Sequence, residues 1–290
     1  MAYRFQIGLL FALPVLLLGA LYTLGAAIPV PVLGRDYVVR VALPDGSTPI
    51  GLPEILGPSD PARPLVVIDA GHGGPDPGTV SETYREKAIV LGLARALRDR
   101  LLEDGGIRVA MTRDDDRFIV LQERAEIARA LGADLFLSIH ADSAGDKEGV
   151  SGASIYTLSE NASSEAAALF AERENDADIV NGVDLSGQNE DVNAILVELS
   201  QRRTSEKSVE FAELIEREGE GTLVFHPEAR RSAALAVLRA PDVPGVLFES
   251  GFVTNPEDAE RLASVEGRER FAEVMARAIR IYFARQTATN

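Results

Sequence analysis

The sequence predicts an α/β fold: a single three-layer domain with a mainly parallel central sheet covered by helices. Three observations predict it. From Pro64 onward, short apolar runs of strand character alternate with segments of helical periodicity. Glycines and prolines punctuate the junctions between them. Two of the three histidines in the chain, His72 and His140, stand at the ends of such apolar runs, where open α/β sheets place their sites.

The elements follow in chain order. After Arg4 the chain carries no charge until Arg35, and the stretch from Phe5 to Val30 is apolar on every side. Residues 1–27 therefore read as a signal peptide or a membrane anchor. Gly25-Ala26-Ala27 offers a small-residue cleavage site, whereas an uncut run of about 20 apolar residues is long enough to stay in a bilayer. Residues 28–63 hold seven of the 15 prolines and read as a linker, with room for one strand at "YVVRVAL". The domain, 64–286, opens with "LVVID" as a strand buried on both faces. A helix from about Arg85, "IRVAMT", a helix from about Val120 and "DLFLSIH" continue the alternation. Later strands are expected at "GASIYTL", "ALAVLR" and "GVLFES", with helices near 205–218 and 267–284. Between "GASIYTL" and the helix near 205 lies an insertion, about 159–200, too long to be an idle loop in a compact domain.

Composition narrows the function. Lys plus Arg total 29 against 45 Asp plus Glu, a net charge of -16 spread along the chain, which disfavours nucleic-acid partners. There is no cysteine, so neither a disulfide framework nor a thiolate metal site is available. A phosphate loop needs glycines followed by Lys-Ser or Lys-Thr, and after "GHGGPDPG" no lysine comes before Lys87.

The two strand-end histidines suggest a metal pair, and a third ligand must then be a carboxylate. Glu86 opens the helix that continues through Val90, Leu93, Leu97 and Leu101, so it lies on the apolar stripe while Lys87, Arg95 and Arg98 face outward. Glu82, in the preceding loop, is a weaker rival. His72, Glu86 and His140 would leave one open position on a tetrahedral Zn2+, where water becomes a nucleophile near neutral pH. Glu249, at the end of "GVLFES", is the expected general acid/base. Each residue taken singly also has a plain reading: a loop histidine, a glutamate at a helix dipole, a loop glutamate.

Together, "VVIDAGHGGPDPG", "REKAIVL", "TRDDD", "SIHAD", "YTLSENASSEAA", "AERENDAD" and "VLRAPDVPGVLFESGFVTNP" resemble the zinc-dependent N-acetylmuramoyl-L-alanine amidases, specifically their cell-division branch. The resemblance spans almost all of 64–262. It implies zinc on His72, Glu86 and His140, Glu249 as the catalytic residue, and a peptidoglycan substrate cut between N-acetylmuramic acid and L-alanine. It implies a periplasmic location, with inner-membrane attachment only through residues 5–27 if these are retained. Residues 28–63 are too few for the N-terminal targeting domain often seen in this branch. The insertion resembles the branch's inhibitory helix, in which a carboxylate blocks the zinc until a LytM-domain activator displaces it. Glu174 is the expected blocker, with Glu165 and Glu172 as rivals, and Leu169 and Phe170 are expected to pack. His226 is read as a loop histidine outside the ligand set. The alternatives are a zinc peptidase of other cell-wall specificity and a non-catalytic peptidoglycan-binding regulator.

Overall fold

The computed structural model describes residues 51–143, 149–176, 179, 180, 183, 184 and 194–289. Residues 1–27, expected to be a signal peptide or membrane anchor, and most of the proline-rich linker lie outside the described residues, as does much of the second half of the insertion. Among the described residues no helix is long and apolar enough to cross a membrane.

The elements are β1 (Leu65–Ala70), α1 (Glu86–Asp104), β2 (Arg108–Met111), α2 (Leu121–Ala130), β3 (Leu135–Asp142), β4 (Ala153–Leu158), α3 (Glu165–Asn175), β5 (Ile179–Val180), β6 (Val183–Asp184), α4 (Ala194–Gly219), β7 (Phe225–Ala233), β8 (Gly245–Phe252), α5 (Pro256–Ala263) and α6 (Val265–Thr289). Six strands form one sheet in the order β2-β1-β3-β8-β4-β7, and the short β5 and β6 pair with each other. Every pairing in the large sheet is parallel except β4 with β8.

β1 is buried at all six positions, as a parallel strand covered on both faces must be. Its odd and even side chains enter different cores. Val66 and Ile68 pack with Leu93 and Leu97 of α1, Phe211 and Ile215 of α4, and Phe271 and Met275 of α6. Leu65 and Val67 pack with Leu121 and Ala125 of α2 and Phe170 of α3 on the other face. The three-layer expectation is met.

Two local expectations are corrected. "ALAVLR" is apolar enough to read as a strand, yet Ala236–Leu238 form a 3-10 turn, with Leu235, Val237 and Leu238 buried beside α2 and α3. The neighbouring strand is β7, whose sequence "FHPEARRSA" is charged and contains Pro227 because it is the sheet's edge, where solvent and proline are tolerated. The helix expected near 205–218 begins earlier, at Ala194. The end of the linker also has a place: the backbone of Leu56 exchanges hydrogen bonds of 2.8 and 2.9 Å with Val109, capping the outer edge of β2.

Candidate metal centre and active site

Adjacent strands β1 and β3 bring His72 and His140 together, with ring centroids 4.9 Å apart. β3 lies next to β8 in a register that sets His140 opposite Glu249. α1 follows the His72 loop and delivers Glu86 from its first turn. All four side chains are buried.

The glycines around His72 have a steric reason. A Cβ on Gly71 would lie 2.4 Å from the His140 ring, and one on Gly78 would lie 2.6 Å from both Glu86 Oε2 and the His72 ring. His72 itself has a φ of 58°, left-handed backbone that side-chain-bearing residues rarely adopt. Two buried arginines hold that loop. Arg124 donates to the carbonyls of Ala70 (2.8 Å), His72 (2.9 Å) and Ile119 (3.0 Å), and pairs with Asp69 at 2.9 Å. Arg113 donates to the carbonyls of Ala70 (2.8 Å) and Gly71 (2.6 Å). Asp69 also accepts from Thr112 (2.6 Å) and Ser138 (2.7 Å). Burial would raise its carboxyl, but Arg124 and these hydroxyls bring it below the ordinary value.

Glu86 Oε1 lies 3.0 Å from His72 Nε2 and 3.2 Å from His140 Nδ1. A second carboxylate reaches the same place. Glu174, on α3, puts Oε2 3.1 Å from His140 Nδ1 and 3.7 Å from His72 Nε2. His72, His140 and Glu174 each offer a ligand atom within 4.8 Å of the others, an arrangement able to hold a metal ion. Glu165 and Glu172 are exposed, as is Glu82. Leu169 is 60% exposed, against expectation, while Phe170 packs as expected.

The donor set fits a cation. His72 Nε2, both ring nitrogens of His140, Glu174 Oε2 and both Glu249 oxygens are buried and make no hydrogen bond among the described residues. Nitrogens this close to carboxylate oxygens yet not bonded to them suit a shared ion better than a hydrogen-bond network. Glu86 is anchored differently, accepting from the backbone N–H of Ala141 (2.9 Å) and Thr79 (2.8 Å), which orients it while leaving lone pairs free. Asp76 Oδ2 sits 2.7 Å from His72 Nδ1, an outer partner that turns Nε2 inward as metal-site carboxylates do.

The electrostatics agree. Burial alone would push both imidazoles down. At His72 it is outweighed by Glu86 and the Asp76 hydrogen bond, and at His140 by Glu174 and Glu86, so both rise to about 10. Burial would raise Glu86, but His72 and then His140 draw it well below the carboxylate range. Glu249 moves the other way: burial, then Asp142, Glu174 and Glu86, push it well above that range. The cluster calls for positive charge, and beside it stands a carboxyl able to carry a proton.

The sequence model of the family described as N-acetylmuramoyl-L-alanine amidase matches residues 66–280, which include every residue of this cluster. The chain belongs to this amidase family. It is 37% identical over 225 residues to N-acetylmuramoyl-L-alanine amidase AmiC of Escherichia coli O6:H1, covering 77% of this chain and 54% of that protein. It is also 37% identical over 221 residues to AmiA of Escherichia coli K12, covering 76% of each. Among solved structures, the amidase AmiC2 of Nostoc punctiforme superposes with a TM-score of 0.55 at 29% identity, over 77% of this chain and 98% of that one. The chain thus spans about half the length of the AmiC relative.

Within this amidase domain three contributors escaped the reading of the sequence: Asp76, Arg113 and Arg124. Asp76 had a local signal, standing four residues after His72 in a Pro-Asp-Pro-Gly turn. The arginines had none, because their targets lie about 40 to 55 residues away in the chain. Lys87 does not face solvent as expected: its Nζ donates to Gly74 O and Asp116, each at 2.7 Å, bracing the same loop. His226 lies apart from the cluster, against Arg231.

Proposed function

We propose that the protein is a zinc-dependent peptidoglycan hydrolase that cleaves the amide between N-acetylmuramic acid and L-alanine, and that α3 holds it inactive until a partner displaces it. The observation that carries this reading is the buried His72–Glu86–His140 cluster beside Glu249 in a chain of the amidase family. His72, Glu86 and His140 would hold the zinc. When bound, it supplies Lewis-acid polarisation of the amide carbonyl and acidification of water.

The chain's own residues do the rest. Glu249 accepts the proton of the attacking water and returns it to the departing amine, a role that its buried site suits by keeping its proton affinity high. Asp76 fixes the His72 tautomer. Ser250 Oγ donates to the His140 carbonyl at 2.8 Å and steadies the β3–β8 pair that aligns ligand and base.

Autoinhibition is supported by the number of donors. Three protein ligands make an open catalytic site, whereas four make a closed structural one, and Glu174 is a fourth donor. α3 is held in place as well. Ser164 caps its first turn, accepting from Ala167 N at 3.2 Å. Phe170 stacks on Tyr156, Arg173 pairs with Asp142, and Asn175 bonds to Ala234 O (2.9 Å) and Ala236 N (2.8 Å). The displacing partner is proposed to be a LytM-domain protein, acting outside the inner membrane after export directed by residues 1–27.

The test is to incubate the purified protein, and the same chain with residues 160–190 replaced by a Gly-Ser linker to release α3, with muropeptides, with and without chelator, and to identify the fragments by mass. Free stem peptides beginning with L-alanine are expected from the linker chain, and only without chelator. Fragments cut elsewhere would overturn the assigned bond. Replacing residues 160–190 by a Gly-Ser linker is expected to raise basal hydrolysis. A folded, zinc-loaded linker chain no faster than wild type would overturn autoinhibition.

A further inference from the structure

α3 covers more than the metal cluster. Beneath it, one face of the sheet carries a row of side chains leading away from Glu249. Leu247, two residues before Glu249 on β8 and so on the same face, is in register with Tyr156 of β4, and Tyr156 is in register with Arg231 of β7. Tyr156 is almost wholly buried, and its lid is Phe170 of α3, stacked at 4.4 Å with an interplanar angle of 27°.

Arg231 has an unusual set of partners for a chain with 45 acidic residues. Its neighbour Arg230 pairs with Glu213 and Glu216. Arg231 is half-buried, and among the described residues its polar contacts are to neutral groups: Glu228 O (3.0 Å), Tyr156 Oη (3.3 Å) and the His226 ring (2.9 Å to Nδ1). These use three of the five N–H groups of the guanidinium. The His226 ring and the tyrosine hydroxyl thus brace a cation that has bonding capacity to spare, a planar fork suited to a carboxylate.

We infer that Tyr156 and Arg231, braced by His226, form a subsite for a carboxylate of the peptidoglycan stem peptide, uncovered when α3 leaves. The inference rests on the proposed autoinhibition by α3. Its geometry suits that ligand: Arg231 lies two strands across from β8 and two residues along from the level of Glu249, about 12 Å at the usual spacings, which is the span of about three to four extended residues. Free carboxylates of the stem peptide fall within that distance of the scissile amide. The Tyr156 face that Phe170 now occupies would carry the peptide's apolar backbone edge, and the Arg231 fork would bind the charge.

The test uses the zinc-loaded chain with residues 160–190 replaced by a Gly-Ser linker. Its substrates are a soluble muramoyl tripeptide with free carboxylates and the same compound with those carboxylates amidated. The free-carboxylate form is expected to show the lower KM. Arg231→Met is expected to raise that KM about tenfold, the scale of a lost charged hydrogen bond, with kcat unchanged, and to erase the preference for the free form. Arg231→Lys is expected to fall between, keeping charge but losing the fork. A preference that survives Arg231→Met overturns the subsite. A linker chain that is no more active than wild type overturns the covering role of α3 instead, and Arg231→Met in the wild-type chain still decides the subsite through KM. Should the linker chain fail to fold, Phe170→Ala combined with Glu174→Ala unseats the helix without deleting it and repeats the measurement.

Discussion

Replacing Arg124 by methionine is expected to destabilise the protein more than any substitution at its surface. The arginine and its partner Asp69 are 2% and 0% exposed, and they meet at 2.9 Å. Removing one member of a buried ion pair leaves the other charged and unpaired, at a cost of about 3–5 kcal/mol. For a domain of this size that corresponds to a fall in Tm of about 6–20 °C. Thr112 and Ser138 still donate to Asp69, which favours the lower half of that range, but the carbonyls of Ala70, His72 and Ile119 lose their shared donor. Urea unfolding of the metal-free protein, followed by circular dichroism, measures the loss. The double variant Asp69→Asn with Arg124→Met should recover part of it, because no bare charge remains. An Arg124→Met protein within about 1 kcal/mol of wild type would refute the reasoning, since it would mean that the pair is not desolvated.

Other expectations concern the metal and the base. His140→Ala is expected to lose zinc, and stoichiometric metal by elemental analysis of that variant would reject the ligand assignment. Glu249→Gln is expected to keep fold and zinc content while losing about 10²-fold or more in turnover, because only proton transfer is removed; near-normal turnover would point to another base. Asp76→Ala is expected to weaken zinc binding about 10–100-fold, as loss of outer-shell partners does, measured by competition with a chromogenic chelator. Unchanged affinity would show that the His72 tautomer needs no such partner.

The parts of the site that sequence made legible are those whose signal is local. His72 and His140 follow apolar runs, Glu86 places a charge on an otherwise apolar helix stripe, and Glu249 follows the apolar run Val246-Leu247-Phe248; in each case neighbours within a few residues define the environment. Arg113, Arg124 and Arg231 were not legible because an arginine's role depends on which carbonyls or hydroxyls the fold brings to it. The same holds for "ALAVLR" and β7. Apolar content reports burial rather than strand, so a buried 3-10 turn imitates a strand, and an edge strand with Pro227 and three charged residues does not look like one. Glu174 was named through resemblance, whereas Leu169 shows the limit of helical pattern alone. The buried stripe of α3 runs through Ala167, Phe170, Ala171 and Glu174, and Leu169, about 100° round the helix from Phe170 on the side away from Ala171, falls outside it.

The backbone of His72 has a consequence for how this domain can change over generations. Its left-handed φ of 58° costs about 1–2 kcal/mol for a residue with a Cβ and nothing for glycine. At this position the backbone favours glycine while the proposed role of His72 as a metal ligand requires an imidazole, so on that reading only catalysis keeps the histidine there. A descendant freed from cutting its substrate would find glycine the easier occupant of the loop, so the most durable record of lost activity would be a small residue here, ahead of any change at Glu86 or His140. The same conflict bars simple repair: once the loop has relaxed around glycine, restoring histidine must again meet the strain that Arg113 and Arg124 now help the fold to bear.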